Sequence, residues 1–377
     1  MANTLTALIP TLYETIDIVS RELTGFIPSV ALDASVARAA VGQQVLVPIS
    51  PAAAAVDITP GVTSPNQGDQ VFTNTPITIQ KSRGVPFRWN GEEQRGLNAN
   101  GPGYNALKNS QIAQAMRTLT NEIEAYVGGF AYPGASRAYG TPGTTPFATD
   151  LSATAQLRKI LSDNGSPLTD IHVTFDTTAG AQMRTLTQLT KANEAADDTM
   201  LRQGVLLDVH GFELRESAGV QHVAPGTAAG YVTNGAVAAG STVIPVQTGT
   251  GTILGGEIVT FAGDPNKYVA VSLAGGNLTI NKPGLRTALA GNTAMTVAAA
   301  YTGNLAYHRN AIVLATRAPA LPTEGDMAED RTTIVDPRSG LAFEVSMYKQ
   351  YRQVYYEMAV AYGGAVIKPE HIATLAG

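Results

Sequence analysis

Between Leu5 and Arg21 the apolar residues Leu5, Leu8, Ile9, Leu12, Ile16 and Val19 form a helix-like stripe broken at Pro10. This predicts an N-terminal arm over residues 1–43, with a helix after the proline and an apolar face that must lie on something. At Gln44 the pattern shortens. Gln44 to Ile49 and Thr75 to Gln80 read as strands, and the polar stretch Thr59 to Gln70, with Pro60, Gly61, Pro65 and Gly68, separates them. The segment 44–90 is thus expected to be an extended β-hairpin loop with a protruding tip. After Gly101-Pro102-Gly103, Ile112, Met116, Leu119, Ile123 and Tyr126 recur at helical intervals, so a long amphipathic helix should run from Tyr104 to Val127 and stop at Gly128-Gly129. A second helix is predicted over Leu151 to Ser162, with Asp150 as N-cap and Gly165 just past its end. Ile171 to Phe175 then reads as a buried strand and Ala179 to Leu189 as a further helix, giving an α+β core over 91–149 and 150–222.

From about Val223 to Ala300 the texture changes. Only Glu257, Asp264, Lys267, Lys282 and Arg286 are charged, while 13 of the chain's 38 glycines fall here. Strand candidates Ser241 to Val246, Glu257 to Phe261, Lys267 to Ser272, Asn277 to Ile280 and Ala294 to Ala298 alternate with turn residues, the pattern of a small β-barrel or sandwich. Core-like sequence flanks it, Phe212-Glu213-Leu214-Arg215 before and Asn310 to Thr316 after. Residues 223–301 are therefore expected to be an inserted β-rich domain, with 302–377 returning to the parent core. There, Thr332 to Val335, the turn Asp336-Pro337-Arg338-Ser339-Gly340 and the alternating Leu341, Phe343, Val345 and Met347 predict a hairpin continuing through Tyr348 to Tyr362.

Composition narrows the function. At 377 residues the chain can hold more than one domain. Its net charge of −5 gives no basic footprint for gripping phosphates. Charged residues make up 15%, against about 25% in ordinary soluble domains. Few charges and many turn formers suit a protein that hides much of its surface against other chains. The absence of cysteine excludes disulfides, thiol nucleophiles and thiolate metal sites. Met1 to Ile18 lacks a basic n-region and no long apolar run occurs, so neither a secretory signal nor a membrane span is expected, and the chain starts out cytosolic.

Candidate chemistry is sparse, and no catalytic residue, cofactor or metal site is expected. His172, His210, His222, His308 and His371 include no pair at i+3 or i+4, and Asp176 and Glu213 reach those spacings from His172 and His210 only in strand-like runs, where they diverge. Glu92-Glu93 beside Arg95 reads as a solvated or intersubunit charge cluster rather than an acid/base pair. Thr248-Gly249-Thr250-Gly251 lacks the Lys-Ser/Thr of a phosphate cradle and reads as a turn. Tyr348, Tyr351, Tyr355, Tyr356 and Tyr362 are the main aromatic concentration, suited equally to an interface and to a half-buried strand.

Three stretches carry a resemblance: Asp208-Val209-His210-Gly211-Phe212-Glu213-Leu214-Arg215-Glu216-Ser217, Tyr307-His308-Arg309-Asn310-Ala311 to Leu314-Ala315-Thr316, and Ala361-Tyr362-Gly363 to Lys368-Pro369-Glu370. Together with the order of elements, over essentially the whole chain, they resemble the major capsid (coat) proteins of short-tailed bacteriophages that carry an insertion domain. The resemblance implies the tailed-phage capsid (Johnson) fold: N-terminal arm, extended loop, peripheral domain with a spine helix, and axial domain. It implies a virion protein, assembled in the host cytoplasm, whose hexamers and pentamers form an icosahedral shell around double-stranded DNA, with scaffolding protein and portal as partners. In such proteins a basic scaffold end meets an acidic arm, and here Glu14, Asp17 and Glu22 fall in the matching region. Glu92, Glu93, Arg95, Tyr348 and Tyr351 complete the candidate scaffold or intersubunit contacts. The short, weakly charged inserted module departs from the pattern, and no Lys-Asn cross-link is nominated.

Two other classes compete. Another self-associating structural protein, from a surface layer or a phage tail, shares the low charge and Gly-rich β modules; the missing signal counts against the first and the long helix against the second. A hydrolase would need Glu92, Glu93 or Asp197-Asp198 to converge.

Overall fold

The computed structural model of the chain describes residues 24–49, 55, 57–58, 60, 73–100, 103–190, 208–336 and 339–377. A single 3-10 turn, Ile27–Ser29, leads into β1 (Ala31–Ala39). β1 lies parallel to β16 (Ile312–Pro319), with Ala31 opposite Val313 and Ala39 opposite Pro319. The expected arm, 1–43, therefore overreaches: its last third is an edge strand whose partner lies far along the chain, beyond the reach of a periodicity argument. β2 (Gln44–Ile49) and β3 (Thr73–Thr78) form the expected hairpin, antiparallel from Gln44↔Thr78 to Ile49↔Thr73. The extended loop does not run to residue 90, because β4 (Lys81–Asn90) pairs along its whole length with β19 (Gln353–Val366). The tip, Thr59 to Gln70, lies outside the described residues apart from Pro60.

α1 (Gly91–Asn100) precedes α2 (Tyr104–Ala131), the long helix. α2 passes through Gly128-Gly129 instead of stopping there. A Cβ on Gly128 would sit 2.3 Å from the Gly219 carbonyl, so this glycine serves close packing rather than termination. After β5 (Arg137–Gly140), α3 (Ser152–Asp163) starts one residue later than expected, its Ser152 amide held by Asp150. β6 (Ile171–Phe175) follows. The expected helix Ala179 to Leu189 is broken into α4 (Thr177–Met183), capped by Asp176, and α5 (Thr187–Thr190). β7 (Phe212–Glu216) runs parallel to β6.

The glycine-rich stretch contributes β8 (His222–Val223), β9 (Val232–Thr233), β10 (Val243–Gln247), β11 (Ile258–Phe261), β12 (Lys267–Ala274), β13 (Asn277–Ile280) and β14 (Met295–Val297). β15 (Tyr301–His308) returns to the core, then β17 (Ala328–Val335), β18 (Ala342–Gln350) and β20 (Ile372–Ala376) complete it. The tyrosine-rich run is not one strand: the chain reverses at Tyr351-Arg352, where Arg352 takes φ 59°, so Tyr348 faces Tyr355 across β18 and β19.

Among the described residues two large sheets result. The first has the order β1-β16-β19-β18-β17, with β4 on β19. The second runs β7-β6-β15-β20-β5-β12-β13-β10-β9, with β11 and β14 beside β12 and β8 beside β15. The main core lies along α2, where Ile112, Met116, Leu119, Ile123 and Val127 meet Val345, Met358, Val360 and Tyr362 of the first sheet and Leu305, Tyr307 and Ile372 of the second. α3 and α4 cover a second core on β6 and β7. A third, around Ile244, Phe261, Tyr268 and Leu278, belongs to the glycine-rich stretch alone. Such burial, at about 1.5–3 kcal/mol per large apolar side chain, is the main force holding the layers together.

Candidate assembly surfaces

The β2–β3 hairpin is joined to neither large sheet. Its alternation puts Gln44, Leu46 and Pro48 on an exposed face, with Leu46 59% exposed, while Val45 and Val47 turn inward and pack beside Ile77, Ile79, Val313 and Ala361. The hairpin root crosses β19 at Gly363, where a Cβ would lie 2.1 Å from the Thr78 carbonyl; only glycine admits that crossing. Farther out the hairpin stands off the body. A cavity of about 770 Å³ separates Ile49 and Thr75 from Val271, Ile280 and Val366, and one of about 400 Å³ lies beneath Val47 and Ile49 over His308, Lys368 and His371. A two-stranded ribbon with so little cover is marginal alone in water and gains from packing against another surface.

Four of the nominated contact residues gather at one end of the first sheet. Asn90 pairs with Gln353, and the Gly91 amide donates to the Arg352 carbonyl at 3.2 Å, so the start of α1 lies beside the β18–β19 turn. Glu92, Glu93 and Arg95 are exposed on α1, and Tyr351 is 89% exposed at the turn, with the Arg352 guanidinium 5.8 Å from its ring centroid. Glu93 does not act with Glu92 on a common point: its carboxylate accepts from the Asn90 amide at 3.0 Å, and its amide donates to Asn90 Oδ1 at 2.7 Å, a reciprocal helix cap. Tyr348 is half-buried, edge-on to Tyr355, and donates to Asp326 at 3.2 Å. Glu14, Asp17, Glu22 and the pair Asp197-Asp198 lie outside the described residues.

Of the histidines, His172 lies against two carboxylates, Asp170 just before it in the chain and Glu213 on the neighbouring strand. Parallel pairing of β6 and β7 sets His172 opposite Glu213. His172 Nε2 lies 2.9 Å from Asp170, and its Nδ1 lies 3.1 Å from Glu213 at an angle too poor for a hydrogen bond. Arg309 pairs with Asp170 at 2.9 Å and Arg215 pairs with Glu213, so the charges balance around a neutral ring. Burial holds the His172 imidazole below its usual range, against the pull of Asp170 and Glu213. No hydroxyl or thiol nucleophile is bonded to this ring, and no group of three metal-ligating side chains occurs among the described residues. Thr248-Gly249-Thr250-Gly251 is a turn, with Thr250 bridged to Ala229 and Gly249 against the Tyr231 ring. No helix among the described residues is long and apolar enough to cross a membrane.

Sequence reasoning missed a further site. Glu124, on α2 and only 2% exposed, accepts the Gly25 and Phe26 amides on one oxygen at 2.6 and 2.7 Å and the Ile27 amide on the other at 3.0 Å. Its position on the helix's inner face, amid apolar neighbours, was the available signal.

No protein-family profile matches the chain, and no curated protein matches it. Solved structures do. One from Mycobacterium phage Che8 is 12% identical, with 95% of this chain and 92% of that one covered at a TM-score of 0.53. The capsid structure of the cyanophage P-SCSP1u is likewise 12% identical, with 95% and 89% covered at a TM-score of 0.50. At these identities the likeness is one of fold: the chain has a phage capsid fold.

Proposed function

We propose that this chain is a major capsid protein that assembles with its own copies into an icosahedral shell enclosing a phage genome. The observation that carries this reading is the capsid fold shared over 95% of the chain. The physical state of a single copy supports it: a hairpin standing off its own body and an exposed tyrosine at a sheet end are surfaces that other copies would complete. In finer terms, α2 is the spine helix of a peripheral domain built on the first sheet, and the β2–β3 hairpin is the extended loop of the tailed-phage (Johnson) architecture. The region 150–222 is the axial domain, and 223–301 is an inserted domain with its own apolar cluster. Affinity to short-tailed phages, a scaffolding protein meeting Glu14, Asp17 and Glu22, a portal, and assembly in the host cytoplasm around double-stranded DNA belong to the same reading.

Negative-stain electron microscopy of the protein, alone and with a co-expressed scaffold, tests it. Closed shells, polyheads or capsomer spirals are expected. A uniform small particle that stays small at high concentration in both preparations would overturn it.

A further inference from the structure

Gly25, Phe26 and Ile27 enter the 3-10 turn Ile27–Ser29 with no side-chain cap of their own, so their amides would be left without acceptors in a buried place. Glu124 supplies the acceptors from a different element. Its Oε1 also takes the Ser217 hydroxyl at 2.5 Å, and the Ser217 oxygen in turn accepts the Gly219 amide at 3.0 Å. One carboxylate on α2 thus joins the root of the N-terminal segment to the loop after β7.

The junction is too tight to slip. A Cβ on Gly25 would lie 2.8 Å from the Glu216 carbonyl, one on Gly128 2.3 Å from the Gly219 carbonyl, and one on Gly219 2.9 Å from the Glu124 carbonyl. Beyond it, Phe26 stacks on Tyr307 at 6.3 Å, and Ser29 Oγ lies 2.5 Å from the Tyr307 hydroxyl. Hydrogen bonds of 2.6–3.0 Å to three consecutive amides tolerate little displacement of the carboxylate. If α2 shifts by an ångström at this turn, either residues 25–27 follow it or the bonds break.

We propose that Glu124 is a positioning clamp that couples the long helix to the root of the N-terminal segment, so that displacement of α2 near Gly128 frees residues 25–27 from the body. The inference concerns the single chain and stands apart from the shell reading.

Hydrogen exchange of the full-length protein, read at the amides of residues 25–27, tests it through three variants. Glu124→Gln keeps the shape but sets an amide nitrogen against backbone donors, and exchange there should accelerate about 100-fold while Leu157 and Leu161 on α3 stay slow. Ser217→Ala removes one donor and should accelerate it by about tenfold or less. Gly128→Ala leaves the carboxylate intact and raises intrinsic helix propensity, while its Cβ would press on the Gly219 carbonyl at 2.3 Å and the Phe26 ring at 3.2 Å, so the helix is forced off this junction and exchange at 25–27 should accelerate. Wild-type exchange in Glu124→Gln overturns the clamp, and wild-type exchange in Gly128→Ala overturns the coupling. Should Glu124→Gln fail to fold, the other two variants decide the matter.

Discussion

At the residue scale three histidines carry a destabilising response to acid, which the raised carboxyl pKa values of buried Glu124 and half-buried Glu357 oppose. Burial lowers the pKa of His172, His308 and His371, and Arg309 opposes protonation of the first two, as Lys368 does of the third. Each folded pKa lies below the unfolded value of about 6.5, so the unfolded chain binds more protons and stability is lost as pH falls from about 6.5 through the lowered values. His308 and His371 stand edge to face at 6.2 Å beneath the hairpin, where two positive rings would repel each other and Lys368. The thermal midpoint should fall by several degrees between pH 7 and pH 5, and the double variant His308→Gln, His371→Gln should flatten that slope; an unchanged midpoint in the wild type refutes the account. The carboxylates around His172 show why sequence alone did not find this chemistry. Counting along one strand from His210 reached Glu213 and from His172 reached Asp176, whereas the ring that Glu213 approaches is His172, set by a parallel register no spacing encodes.

At the element scale, what periodicity can express was legible and what depends on contact was not. Gly101-Pro102-Gly103 placed the start of α2 at Tyr104 and the apolar interval from Ile112 marked its face, and the glycine-rich strands fell close to their expected positions, β13 residue for residue. The end of α2 was missed because a Gly pair reads as a terminator unless the carbonyl packed against it is known. The tyrosine run was missed because a reversal at Arg352, not a glycine, folds it into two strands. α1 was read only as an exposed charge cluster, yet Asn90 and Glu93 cap it reciprocally. Asn90→Ala should lower unfolding stability by about 1 kcal/mol in urea titrations, whereas Glu92→Gln, exposed in the same turn, should change it by less than about 0.5 kcal/mol. Equal effects would mean that charge, not capping, starts the helix.

At the scale of the whole molecule the question is how separable the glycine-rich stretch is. An insertion tethered only at its ends could be excised with a short linker and leave the parent intact. The contacts here argue otherwise. β12 continues the second sheet by pairing Lys267 with Ala138 and Tyr268 with Arg137, on an edge that β5 would otherwise leave bare. Arg137, 3% exposed, reaches Asn266 at 3.1 Å as well as Asp163 and Asn164 at the end of α3. Ile258 and Val269 belong to the main core beside α2, and the Tyr301 hydroxyl donates to the Gly256 carbonyl at 2.5 Å. Replacing residues 224–299 by a flexible linker would remove Ile258 and Val269 and uncover the part of the main core they cover, leave the Arg137 guanidinium with fewer acceptors, and expose the β5 edge to other chains. The excised protein should therefore aggregate or unfold well below the parent's thermal midpoint, by calorimetry at matched concentration. A soluble variant that unfolds cooperatively within a few degrees of the parent would show that the stretch rides on the core without supporting it.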